Sequence, residues 1–235
     1  MKKLSIIIPT LNSHGVVKSQ IIRLQNILSS YQNDVDVIIV DDGSNPSLVE
    51  SLIETNFPFT KSGKTQENLD VWKLDNIFII ETKNYNKWTQ AIACNIGVRF
   101  ANSEYVYNTA IDHFITLENI KEVLNFNGDC LKFPRSYGVI LDNGEISTDV
   151  KLMEKWGYDG SNVDVAWDIY SMKKDLFLSI NGYNEEIFGS YWGVDIDFFG
   201  RYSNVGGSVN IALNTIYVFP EPDKNVEVFH NLSRD

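Results

Sequence analysis

Apolar β-branched runs alternate with segments of helical period through the first half of this chain, and that alternation leaves few architectures open. Leu4 to Pro9 (LSIIIP) is a continuous apolar run, the pattern of a strand buried on both faces. A turn begins at Asn12-Ser13, and Val16 to Leu28 carries apolar residues at helical spacing. Val35 to Val40 reads as a second strand and ends on Asp41-Asp42-Gly43-Ser44. Asn45-Pro46 opens a helix that runs to Ile53, with Pro where a missing N–H is tolerated. Residues 55–74 are polar and aperiodic and read as a surface insertion. Asn76 to Glu81 gives a third strand, Trp88 to Phe100 a helix, and Tyr105 to Thr109 a fourth strand. Strands and helices in this order build βαβ units with right-handed crossovers, so the expected fold is α/β with a parallel sheet.

After about residue 125 the alternation fades. Short strand-like pieces (Leu131 to Phe133, Gly138 to Leu141, Val163 to Met172) mix with turns; one clear helix, Asp195 to Tyr202, follows, and Val209 to Phe219 reads as a final strand or hairpin. A chain of 235 residues suits one domain. The expectation is a single domain over 1–235, with a nucleotide-binding half (1–125) and a substrate-binding half (126–235) sharing one sheet.

The formal net charge of −11 argues against non-specific binding of nucleic acid. It leaves open a phosphate-bearing small ligand, because a bound cation inverts the local field. No apolar run approaches the roughly 20 residues of a membrane span. The run Leu4 to Pro9 is too brief for a signal peptide, which predicts a cytoplasmic protein. Cys94 and Cys130 are the only cysteines and read as reduced, buried thiols.

In open parallel sheets, ligands bind at the carboxyl ends of the strands. Those ends carry Pro9-Thr10, Asp41-Asp42 and the stretch around Asp112. Carboxylates there can accept from a base N–H or a ribose hydroxyl, or hold a cation, although Asp41-Asp42-Gly43-Ser44 reads equally well as a turn with a helix cap. Other phosphate signatures fail. Ser62-Gly63-Lys64-Thr65 lacks the earlier glycine of a P-loop (Pro58 stands there), and no G-x-G-x-x-G follows the first strand. No G-x-S-x-G is present for a hydrolase, and His14, His113 and His230 are too scattered for a local zinc motif.

The order of features is more specific than any one of them. A strand ending in IIIPTLN, a second ending in VDDGS, a helix containing AIACNIGVRFA, a strand leading to an acidic residue, and later NGYNEEIFGSYWGVDIDFFGR together resemble glycosyltransferase family 2. The resemblance implies its GT-A fold, a single α/β domain with a Rossmann-like, mixed and mainly parallel sheet flanked by helices. Asn181 to Arg201 is similar to the C-terminal motif of the galactosyltransferase-like branch.

That resemblance implies roles by position. Pro9, Thr10, Asp41 and Asp42 line a pocket for the nucleotide base, uracil. The helix from Lys87 through Asn95 and Gly97 passes under the ribose and diphosphate. The D-x-D motif falls on Ala110-Ile111-Asp112, so the first acid is missing while Asp112 keeps the place of the metal-binding second. His113, directly after it, reads better as a structural histidine at a strand end. The Glu-Asp pair of the C-terminal motif has become Val194-Asp195, which makes Asp195 the catalytic base and Asp197 the later acid of the acceptor site. On one helix start these two point to different faces. Tyr183, Tyr191 and Trp192 fall against the acceptor, and Glu227 and His230 are further ligands for Mn²⁺ or Mg²⁺.

The implied reaction is inverting transfer of a hexose from a UDP-sugar to a hydroxyl of a glycan or glycoconjugate. Two alternatives remain from the residues: a binding protein of the same fold, degenerate at Ala110 and Val194, and a sugar nucleotidyltransferase. The second needs a Gly-rich basic loop, of which Asn12-Ser13-His14-Gly15 is a poor version.

Overall fold

The computed structural model of the protein describes residues 1–83, 90–140, 146–154, 164–187 and 193–218. In chain order the elements are β1 (Lys2–Thr10), α1 (His14–Leu28), β2 (Val35–Asp41), α2 (Leu48–Glu54), β3 (Thr60–Lys64), β4 (Asp70–Leu74), β5 (Ile77–Glu81), α3 (Gln90–Phe100), β6 (Ser103–Asn108) and β7 (His113–Phe114). They continue as α4 (Leu117–Asn125), β8 (Cys130–Tyr137), β9 (Val139–Ile140), β10 (Ile146–Ser147), α5 (Val150–Met153), β11 (Asp164–Lys173), α6 (Lys174–Ser179), α7 (Gly193–Asn204), β12 (Val209–Ile211) and β13 (Ile216–Val218).

Among the described residues one large sheet runs β3-β4-β5-β2-β1-β6-β11-β8-β13-β7, with β12 also paired to β8. Its centre, β5-β2-β1-β6, is parallel throughout. From β1 the chain winds outward to β2 and β5, then crosses back to β6 on the other side of β1. The order therefore reverses at β1/β6, where an open sheet leaves a crevice at its carboxyl edge. Beyond β6 the sheet turns mixed, since β11 is antiparallel to both β6 and β8. This is the mixed, mainly parallel single domain that the resemblance implies.

The continuous apolar runs are explained by two cores, one on each face of the sheet. Leu4, Ile6 and Ile8 of β1, with Val35, Val37 and Ile39 of β2, pack against Val17, Ile21, Leu24 and Leu28 of α1 and against α2 and α4. Ile7, Ile38, Val40 and Ile80 point the other way, toward α3, α6 and α7. Strands buried on both faces have no polar side to alternate. Cys94 and Cys130 are both free and buried, and burial pushes the Cys130 thiol up to about 12. Among the described residues no helix is long and apolar enough to cross a membrane.

Two expectations need correction. The stretch 55–74 is not an irregular insertion: β3 and β4 pair as an antiparallel hairpin and β4 joins β5, widening the sheet. Every residue of β3 is exposed, so no apolar alternation marks it, and only Val71 of β4 is fully buried. The segment 209–219 is not a hairpin either. β12 and β13 each pair in parallel with β8 rather than with each other.

Candidate active site

Register brings three strand ends into one row. Thr10 lies opposite Asp41, and Asp41 opposite Glu81, across β1, β2 and β5. Asp41 and Asp42 are both buried and closely tied. The backbone N–H of Ser44 donates to Asp41 Oδ1 at 3.3 Å, and the Ser44 hydroxyl donates to the same oxygen. The N–H of Asn12 donates to Ser44 Oγ at 2.7 Å, locking the first strand's loop to the second's. Thr82 Oγ1 donates to Asp42 Oδ1 at 3.0 Å, and the N–H of Asp42 donates to the carbonyl of Thr10 at 3.0 Å. The turn reading of Asp41 to Ser44 is thus met, and the turn fixes both acids at the strand ends. Burial raises the Asp41 carboxyl to about 6, with the nearby Glu81 charge adding to it and the Ser44 hydrogen bonds opposing it.

A cavity of about 430 Å³ opens beside this row, lined among others by Asp41, Ser44, Ser47, Trp72, Glu81 and Lys83. Ser47 caps the start of α2 by accepting from the N–H of Glu50, and its hydroxyl donates to Glu81 Oε1 at 2.6 Å. Trp72 Nε1 donates to the other Glu81 oxygen at 3.2 Å. Trp72, Glu81 and Lys83 were not among the sequence candidates. Glu81 was findable as a carboxylate closing a predicted strand, whereas Trp72 sat in the stretch read as an insertion. Thr10 Oγ1 is buried with no hydrogen-bond partner among the described residues.

The loop after β6 carries Ala110 and Asp112. Gln20 of α1 pins it by donating to the carbonyls of Ile111 and His113, each at 2.9 Å. His113 is buried, and its Nδ1 accepts from the N–H of Ala110 at 3.0 Å, so it shapes the loop as a structural histidine. Its Nε2 lies 3.9 Å from Asp112 Oδ1, while the Asp112 side chain is 51% exposed. Asp112 is thus a hard oxygen donor open to solvent on the loop after β6, which fits one ligand of a divalent cation. Among the described residues, no group of three or more His, Cys, Asp or Glu side chains gathers into a cation site.

Asp195 lies in the first turn of α7 and is 6% exposed. Tyr183 Oη donates to its Oδ1 at 3.1 Å. Burial raises the Asp195 carboxyl to about 7; the Asp168 charge adds to this, and Tyr183 and Lys132 oppose it. Asp197 faces elsewhere, as two positions along a helix require. It pairs at 2.8 Å with Arg201, whose guanidinium also donates to the carbonyls of Ile180 and Gly182. Asn95 is buried in α3 and clamps Tyr183: its Oδ1 accepts from the Tyr183 N–H and its Nδ2 donates to the Tyr183 carbonyl, both at 2.9 Å. Tyr183 is itself buried behind Asp195, with its ring 4.7 Å from that of Phe198. The candidates Lys87, Tyr191, Trp192, Glu227 and His230 lie outside the described residues.

The model of glycosyl transferase family 2 matches residues 5–129, from β1 through the β6 loop to the start of β8. This chain belongs to glycosyl transferase family 2. No curated protein matches the sequence. Solved glycosyltransferases share the fold of this family 2 member at low identity. TarS of S. aureus, in complex with UDP-GlcNAc, has a TM-score of 0.59 at 16% identity, over 96% of this chain and 60% of that one. The mannosyltransferase PcManGT from Pyrobaculum calidifontis, in complex with GDP-Man and Mn²⁺, has a TM-score of 0.57 at 14% identity, over 97% and 59%. The catalytic domain of Drosophila beta1,4galactosyltransferase 7, in complex with xylobiose, has a TM-score of 0.52 at 12% identity, over 91% and 66%. The chain therefore spans less than two thirds of the length of each, and these likenesses show the fold alone.

The raised carboxyls of Asp41 and Asp195 give this family 2 member a pH-dependent stability whose sign follows from their direction. Each holds a proton in the folded state at pH values where the unfolded chain, with ordinary values near 3.8, has lost it. Between about pH 4 and pH 7 the native state binds more protons, so stability falls as pH rises through that window. Urea midpoints should be higher at pH 5 than at pH 8, and Asp195→Asn should flatten the slope. A midpoint that climbs over this range would contradict both burial assignments.

Proposed function

We propose that the chain moves a hexose from a UDP-sugar to a hydroxyl of a glycan or glycoconjugate, with inversion at the anomeric carbon. The observation that carries this reading is Asp195: a buried carboxyl held near pH 7, suited to a base at physiological pH. Hydrogen bonds through Tyr183 and Tyr170 connect it to the carboxyl end of β6. Residues 1–125 hold the donor in this reading, with Pro9, Thr10, Asp41 and Asp42 at the base, and residues 126–235 hold the acceptor.

Asp195 Oδ2 takes the proton of the acceptor hydroxyl as that oxygen attacks the anomeric carbon. The bond from the anomeric carbon to the diphosphate oxygen breaks, and UDP leaves with its electron pair. Asp112 would hold a divalent cation here, with Glu227 and His230 as further ligands. That cation, when bound, supplies Lewis-acid stabilisation of the departing diphosphate. The complexes of TarS with UDP-GlcNAc and of PcManGT with GDP-Man and Mn²⁺ support a nucleotide-sugar donor and a cation. Ala110, standing where the motif has its first acid, favours a second reading, in which the site binds nucleotide sugar without turnover.

Thermal shift with a panel of UDP-sugars, with and without Mn²⁺, tests this function. A ligand at a hundred times its dissociation constant stabilises by about 2.7 kcal/mol. Mn²⁺ should enlarge the shift, and Asp112→Ala should abolish the enlargement. No shift with any UDP-sugar would contradict the donor assignment. Binding of a UDP-sugar with no release of UDP in the presence of any acceptor would favour the second reading.

A further inference from the structure

Asp195 ends a chain of hydrogen bonds that begins on the last residue of β6. Asn108 Nδ2 donates to Tyr170 Oη at 2.6 Å, Tyr170 Oη to Tyr183 Oη at 3.0 Å, and Tyr183 Oη to Asp195 Oδ1 at 3.1 Å. All four residues are buried. The direction follows from the donor inventory. With the Asn108 amide nitrogen facing Tyr170 Oη and Asp195 ionised, each phenol has one proton to give, so Tyr170 passes its proton toward Tyr183 and Tyr183 toward the carboxylate. Asp195 Oδ1 is thereby held as an acceptor, and Oδ2 makes no hydrogen bond among the described residues.

The surroundings make the chain rigid. Ile7, Asn108, Tyr170 and Lys132 lie in one row across β1, β6, β11 and β8, which turns their side chains to the same face. The Tyr170 ring stacks on Phe198 at 5.5 Å, and the Asn95 clamp fixes the Tyr183 backbone. Asn108 directly precedes the loop that carries Asp112. The chain thus joins the donor-side strand end to the carboxylate of α7.

We propose that Asn108, Tyr170 and Tyr183 form a directional positioning relay for Asp195, fixing Oδ1 as an acceptor and reserving Oδ2 for the proton of the acceptor hydroxyl. This rests on the reading of Asp195 as the base. Tyr183 and Tyr170 are positioning residues in it, since neither touches a reacting atom. The charged and titratable groups facing Asp195 are Asp168 and Tyr170 of β11, Lys132 of β8, Cys94 of α3 and Tyr183. Against burial and Asp168, the Tyr183 hydrogen bond favours the ionised carboxyl.

The test is a titration of the Asp195 carboxyl by NMR in the intact protein labelled with carboxyl-¹³C aspartate, the signal being assigned by its loss in Asp195→Asn. In the parent the midpoint should lie at about 7. Tyr183→Phe keeps the ring and removes the donor, so the midpoint should rise by about one unit. Tyr170→Phe removes the preceding donor and should move it less, in the same direction, because hydrogen bonds in a chain polarise one another. Tyr202→Phe is the control: it is a buried tyrosine of α7 whose hydroxyl serves only the Ser208 carbonyl, and it should leave the midpoint in place. In a transfer assay, the acid limb of the kcat profile should follow these midpoints while the donor KM holds. A one-unit rise lowers turnover about tenfold on that limb and restores it at higher pH. An unmoved or lowered midpoint in Tyr183→Phe overturns the proposal, and an unmoved midpoint in Tyr170→Phe reduces the relay to one bond and overturns it too. The titration does not depend on turnover. Midpoints that move as stated in a protein where Asp195→Asn transfers at the parent rate would refute the base assignment and leave the relay standing.

Discussion

Asp195→Asn should lower the rate of sugar transfer by at least about 100-fold while leaving donor affinity unchanged, the pattern expected when a general base is lost. The substitution is close to isosteric. Its carbonyl oxygen can still accept from Tyr183 Oη, now at 3.1 Å from Asp195 Oδ1, so the packing behind α7 is retained. What it removes is the basic oxygen. Single-turnover rates and donor binding by calorimetry separate the outcomes. Near-parental turnover would mean that Asp195 only stabilises the start of α7, and loss of donor affinity together with rate would move Asp195 into the donor site.

Gly97→Val should lower stability by about 3 kcal/mol and the melting temperature by roughly 6–12 °C. A Cβ on Gly97 would stand 2.5 Å from Ile7 Cγ2 and 3.2 Å from Val40 Cγ2. Both are methyl branches of core strand residues rather than ends of flexible chains, so α3 itself must lift from β1 and β2. Asn95 rides on the same helix, and the Tyr183 clamp would shift with it. Thermal denaturation measures the effect, and a melting temperature within about 2 °C of the parent would show that the contact between helix and sheet can yield.

The parallel centre of the sheet was legible because its strands carry their own signal: Leu4 to Pro9 and Val35 to Val40 are apolar without interruption, and each ends on a polar turn. Asp41, Asp42 and Asp112 could be named as strand-end acids for the same reason. The edges were not legible. Thr60 to Lys64 pairs through its backbone alone with every side chain exposed, so no periodicity marks it. Nor does local pattern record that Val209 and Ile216 both seek β8. In the site, the separation of Asp195 from Asp197 followed from helix geometry. Asn95, assigned to the nucleotide by resemblance, spends its amide on Tyr183, a residue 88 positions away, and on Glu185. Tyr170 carried no sequence signal beyond strand propensity, because its hydroxyl gains meaning only from the register that sets it against Asn108.

The central claim is that the strand ends at Thr10, Asp41 and Asp42 form a nucleotide site, and calorimetric titration of UDP into the parent and Asp42→Ala tests it most directly. Removing the Asp42 carboxylate takes away the oxygen that accepts from Thr82 Oγ1 at 3.0 Å, a cost of about 1–3 kcal/mol that a folded protein well below its melting temperature tolerates. The parent should bind UDP, and Asp42→Ala should bind it at least about tenfold more weakly, a loss of about 1.4 kcal/mol. Equal affinity in the two proteins, or no UDP binding by the parent, would contradict it.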